Sequence, residues 1–135
     1  MTGDGIGLRV LLAGLAAYHL AIGALAVLSY RRTAAAVRTL YTAELEGGAQ
    51  LRYAIRMLGL YALAFGFLLS AAAWEPAAHR HVVIAAALLL IARALMRLAL
   101  AGSVAASFGV SARRNRVHAG GLLLVAALLI WWLPR

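Results

Sequence analysis

The chain contains no cysteine and no lysine, and only four of its 135 residues are acidic: Asp4, Glu44, Glu46 and Glu75. Without cysteine there are neither disulfides nor thiolate metal sites, and composition leaves the redox compartment unmarked. Without lysine, the formal net charge of +9 rests entirely on thirteen arginines. A GC-rich genome is the plainest cause of such arginine- and alanine-heavy usage. The scarcity of acids excludes more. No carboxylate lies inside any long apolar stretch, so the paired acid and base of a hydrolase is absent. So is the buried glutamate on which small multidrug exporters couple transport to protons. No serine stands beside a histidine and an acid in a nucleophile setting. The expectation is a chain with no catalysis of its own, no cofactor and no metal.

Hydrocarbon is what the chain has in excess. It is 65% hydrophobic with a mean hydropathy of +0.91, against about 45–50% apolar residues in an ordinary soluble domain. A chain of 135 residues makes one domain at most, whose interior is too small to hide that excess. Lipid is therefore the expected solvent. A crossing needs about 20 apolar residues, and four stretches qualify: 6–30, 51–74, 77–101 and the shorter 117–133. Pro76 suits the first turn of the third. The runs are continuous, without the alternation of a barrel wall, so helices are predicted. The start also resembles a signal peptide, with Arg9, an apolar stretch and "ALA" at 24–26, but is read as a permanent span. No repeat or linker divides residues 1–135.

Four crossings place the 31–50 and 111–116 connections on one side. That side gathers Arg31, Arg32, Arg38, Arg52, Arg56, Arg97, Arg113, Arg114 and Arg116, with Arg9, Arg80 and Arg135 on the other. Positive-inside bias then puts both connections in the cytoplasm and both termini outside. Trp74, Trp131 and Trp132 fall at the outer interface, as an aromatic belt would. Because the arginines flank apolar spans, anionic lipid is a better partner than nucleic acid. Within 32–46, Val37, Leu40, Tyr41 and Leu45 recur at helical spacing before Gly47-Gly48. This predicts a short amphipathic helix on the inner leaflet, the alternative being an ordinary solvated loop helix.

"IARALMRLAL" carries Arg93 and Arg97 inside an apolar run. Counted from Ala77, they lie about 24 and 30 Å along the helix, near the cytoplasmic boundary, where a side chain can snorkel. Arg52 and Arg56 occupy the same end of the second span, on one stripe with Gly59, Gly66, Ser70 and Ala73. Small residues let helix backbones approach in lipid, so this stripe should face the bundle. Were all four arginines to converge, Glu44 and Glu46 could not balance them. A phosphate-bearing or carboxylated amphiphile could, through bidentate guanidinium contacts. The competing reading makes each arginine an independent topology anchor.

Histidine offers less. His19 lies mid-span on a face with Ala16, Gly23 and Ala26. It could be a haem ligand, a proton carrier, or a residue hydrogen-bonded to Tyr61 or Ser70. Bis-histidine haem needs a second histidine at equal depth; His79 and His81 sit at the outer end and His118 at the inner. "HRH" at 79–81 points two rings in different directions with only Glu75 as a third ligand, so a surface role is expected.

The second span, "LRYAIRMLGLYALAFGFLLSAA", with Arg56, Gly59 and Gly66 opening it, resembles the DoxX-like small four-helix membrane proteins. Length and helix count agree loosely over most of the chain. The long basic 31–50 connection and "RALMR" do not map onto that family. Some of its members look like membrane subunits of quinone-linked oxidoreductases, so the resemblance implies an accessory subunit and transfers no catalytic residue. The sequence thus predicts an all-α, four-helix membrane bundle with an interfacial helix. Its expected role is an accessory or scaffold subunit that packs against partner membrane proteins, or copies of itself. The faces proposed for packing are Gly14, Ala17 and Ala21 on the first helix and Gly59 and Gly66 on the second. The alternatives are a carrier of anionic lipid or amphiphile using Arg52, Arg56, Arg93 and Arg97, and a haem- or quinone-linked anchor using His19.

Overall fold

A computed structural model describes residues 3–41 and 48–133, and among these every element is helical. The order is α1 (Gly3–Leu28), α2 (Tyr30–Tyr41), α3 (Ala49–Trp74), α4 (Arg80–Ala99), α5 (Ala101–Phe108) and α6 (Ala112–Trp131). Three of them, α1, α3 and α4, are long and apolar enough to cross a membrane. The first turns of α6 hold Arg113, Arg114, Asn115, Arg116 and His118, which leaves a purely apolar stretch only from Ala119 onward.

Local chemistry sets the breaks. The Ser29 hydroxyl accepts from the Arg32 N–H at 3.3 Å, so α2 begins with a serine cap one residue past the end of α1. The expected amphipathic helix is α2, the most amphipathic of the six. Residues 42–46 of the expected range, with Glu44, Leu45 and Glu46, lie outside the described residues. After Trp74 the chain turns through Pro76, and α4 starts at Arg80. This corrects the expected start at Ala77. Pro76 belongs to the turn, where the carbonyl of His79 collects the amides of Val82 and Val83. At the far end, Leu100 interrupts the helix, and α5 continues to Phe108. Gly109 then takes φ +62° and returns its N–H to the Ala105 carbonyl at 3.0 Å. A left-handed C-terminal residue is a glycine position because any Cβ there meets the backbone. Ser111 caps α6 by accepting from the Arg114 N–H at 3.3 Å.

The helices form two antiparallel pairs, α1 with α3 and α4 with α6. Leu8, Leu12 and Ala16 of α1 meet Leu69 and Ala72 of α3, Val83, Ala86 and Leu90 of α4, and Ala126 and Leu129 of α6. These residues come from the ends nearest Trp74, reaching only to mid-helix at Ala16 and Leu90, so the pairs share a core toward that end. Toward the arginine end each pair is held by its own contacts, described below.

Candidate functional site

α1 and α3 approach at a glycine crossing. A Cβ on Gly23 would lie 2.8 Å from the Gly59 carbonyl oxygen, and one on Gly59 would lie 2.7 Å from the Ala26 Cβ. Gly66 receives Leu20 in the same way. Such close backbone approach adds dispersion contacts between the two helices. The five packing candidates therefore separate into two groups. Gly59 and Gly66 are buried within the α1–α3 pair, whereas Gly14, Ala17 and Ala21 are exposed, with Ala17 at the edge of the open α1–α3 groove. Nothing lies within 4 Å of where a Gly14 Cβ would be.

The four candidate arginines are distributed over both pairs. Arg52 and Arg56 continue the α1-facing stripe of α3 past the end of α1 and are exposed. Arg93 and Arg97 are half-buried on the packed face of α4, in line with Ala86, Leu90 and Ala94. Counted from the actual start at Arg80, they lie about 20 and 26 Å along α4, closer to its start than the sequence suggested. Beside them stands a residue that the sequence reading passed over. Asn115 is 2% exposed, and its Nδ2 donates to the Arg97 carbonyl oxygen at 2.7 Å. This bond ties the start of α6 to the end of α4, with Ala94 and Ala119 buried in the same register. The Asn115 Oδ1 is buried and accepts no hydrogen bond among the described residues. The spacing Asn115, Ala119, Ala126 marks one helical face and would have pointed inward, but the surrounding arginines disguise it.

His19 is 9% exposed and lies between α1 and α3. Its Nδ1 pairs with the Leu15 carbonyl oxygen at 2.8 Å, and since a carbonyl only accepts, Nδ1 carries the proton. The ring meets Phe65 edge-on at 5.1 Å and Tyr18 at 5.3 Å. The expected partners are thereby corrected: Tyr61 is exposed, and the Ser70 hydroxyl donates to the Gly66 carbonyl at 2.9 Å. A backbone acceptor one turn back outcompetes a distant hydroxyl because the helix already holds it in place. The His79 and His81 rings meet edge-on with centroids 6.2 Å apart, and His118 pairs with the Arg114 carbonyl at 2.8 Å. Among the described residues no three His, Cys, Asp or Glu side chains gather as metal ligands would.

A further feature arises only when two helices combine. On the open side of the α1–α3 pair, a groove of about 540 Å³ runs from Arg9 and Trp74 down past Ala13 and Ala17 to Leu20. It meets a second hollow of about 390 Å³ lined by Arg9, Trp74 and Glu75. Trp74 is 83% and Trp131 82% exposed, whereas Trp132 folds back against Gly7. No family model, curated protein or solved structure matches the chain.

Proposed function

We propose that the chain is a non-catalytic integral membrane protein that serves as an accessory or scaffold subunit, docking a helix of a larger membrane partner through the outward face of α1. The observation that carries this reading is the exposed stripe Gly14, Ala17 and Ala21. Small residues on an exposed helix face offer another helix the same close approach that Gly23 and Gly59 make internally. Membrane embedding is supported by the surface itself, where Leu28, Phe67, Leu88 and Leu124 are all exposed. A soluble monomer rarely leaves so extended an apolar face in water. The fourth crossing is supported by pairing: α6 lies antiparallel along α4, so a membrane crossed by one is crossed by the other. With four crossings, the arginine side faces the cytoplasm, α2 rests on the inner leaflet and both termini lie outside. The resemblance of α3 to DoxX-like proteins points the same way.

The test is pulldown of the full-length chain from its native membrane in mild detergent. The expected result is copurification of a larger membrane protein, or a defined homo-oligomer, lost in a Gly14→Leu, Ala17→Leu variant. A monodisperse wild-type monomer without a partner would overturn the reading.

A second reading is binding of anionic headgroups at the cytoplasmic rim. The half-burial of Arg93 on the packed face of α4 favours it, because a guanidinium held there calls for a counter-anion. Native mass spectrometry of the Arg56→Ala, Arg93→Ala variant tests it, and unchanged lipid retention would reject it.

A further inference from the structure

We infer that the groove between α1 and α3 at the Trp74 end holds one phospholipid with an ammonium-bearing headgroup. The inference rests on the reading of the chain as membrane-embedded and adds a ligand site to it.

Depth is the first argument. The groove runs from Arg9 to Leu20, eleven residues of α1, or about 16 Å. Half of a hydrocarbon core about 30 Å thick is about 15 Å. The groove thus spans one leaflet, from headgroup level to the midplane. Its volume, about 540 Å³, falls inside the range of about 300–1,000 Å³ typical of ligand sites.

Chemistry is the second. Along its length the groove is lined by Ala13, Ala16, Ala17 and Ala73, which leave room for an acyl chain. Its one hydroxyl, Ser70, is already satisfied by the Gly66 carbonyl and requires nothing from an occupant. At the top, Arg9 and Glu75 line the same hollow with Trp74. Among the described residues neither charged side chain has an ion-pair or hydrogen-bond partner. A cation and an anion beside one aromatic ring match a phosphate and an ammonium: guanidinium takes the phosphate, while carboxylate and indole face take the ammonium. A protein helix lying over the groove would cover Arg9 and Glu75 without supplying their counter-charges, which is costly. A zwitterionic lipid brings both. Since Ala17 also edges the docking stripe, the bound lipid would border a partner helix.

The experiment is native mass spectrometry of the purified full-length chain, exchanged into detergent with equimolar phosphatidylethanolamine and phosphatidylglycerol. The expected result is retention of phosphatidylethanolamine over phosphatidylglycerol by about two- to fivefold, the upper part of what one exposed charge contact gives. Glu75→Gln should erase that preference. Ala13→Phe, at an exposed position, should reduce phosphatidylethanolamine retention by a similar factor without changing the melting temperature. Equal retention of both lipids, or full retention in Ala13→Phe, would mean annular lipid only and overturn the site. Alkaline carbonate washing of the source membranes separates the two levels. A chain that stays in the pellet but shows no selectivity sinks the site alone; a chain released by the wash sinks the membrane reading with it.

Discussion

Gly14 and Gly23 lie on the same helix, and giving each a methyl group is the same chemical change with opposite expected consequences. In a helix interior, Gly→Ala gains up to about 1 kcal/mol from reduced backbone freedom. At Gly14 nothing lies within 4 Å of the new methyl, so that gain should appear whole. At Gly23 the methyl meets the Gly59 carbonyl oxygen at 2.8 Å and the Leu63 amide nitrogen at 2.9 Å. Both are backbone atoms that no rotamer change can remove. Ordinary contact begins near 3.4 Å, so α1 must move away from α3 by about 0.6 Å, a gap that forfeits a quarter to a half of the affected dispersion contacts. Overpacking of this kind typically costs about 1–3 kcal/mol. Both positions share the propensity gain, so Gly23→Ala should fall below Gly14→Ala by the overpacking cost, about 1–3 kcal/mol. Unfolding in mixed micelles titrated with sodium dodecyl sulfate, followed by tryptophan fluorescence, measures the difference. Two variants within about 0.5 kcal/mol of each other, the scatter of inert surface changes, would refute the claim that close backbone approach holds this pair.

In the same assay, Asn115→Ala should destabilise by about 1–2 kcal/mol through loss of its buried bond to the Arg97 carbonyl, and an unchanged unfolding curve would sever that link between α4 and α6. Gly109→Ala forces a methyl into φ +62° and should cost about 1–2 kcal/mol; a neutral result would mean the α5–α6 turn adopts another conformation. Because the chain has no cysteine, Ala78→Cys and Ala112→Cys are each unique thiols on intact cells. A membrane-impermeant maleimide should label position 78 and spare 112, and labelling of 112 from outside would invert the proposed topology.

The long helices were legible because long continuous apolar runs without alternation read as helices. Their boundaries were less so. Pro76 reads as a helix opener, yet with Glu75 and His79 it makes a turn that delays α4 to Arg80, a choice made by the return of the chain. The stripe Gly59–Gly66 was readable as a packing face, and Gly23 shared a face with His19, but their meeting depends on the α1–α3 register. The direction of Gly14, Ala17 and Ala21 was not readable at all. When both sides of a helix are apolar and small, no polar face tells inside from outside. Asn115 was legible in principle through its spacing to Ala119 and Ala126, but it stands among three arginines that read as solvated. The groove headed by Arg9 has no signature in either helix alone, since its two walls lie some sixty residues apart.

The division into two helix pairs also bears on why the arginines are tolerated. Two unit charges 4 Å apart interact by about 4 kcal/mol at an effective dielectric constant of 20, enough to matter against a marginal net stability. Arg52 and Arg56 leave the packed region where α1 ends, while Arg93 and Arg97 follow the face that α4 turns toward α6. The buried residues that join the pairs lie at the opposite end, around Leu12, Leu69, Val83 and Leu129. Repulsion among the guanidiniums therefore acts where the shared core is thinnest and strains it least. Within the α4–α6 pair, the hydrogen bond from Asn115 to the Arg97 carbonyl holds the charged end together without requiring a carboxylate. A neutral amide there fastens two basic helix ends and adds no charge of its own, which is the chemistry expected of a chain so short of acids.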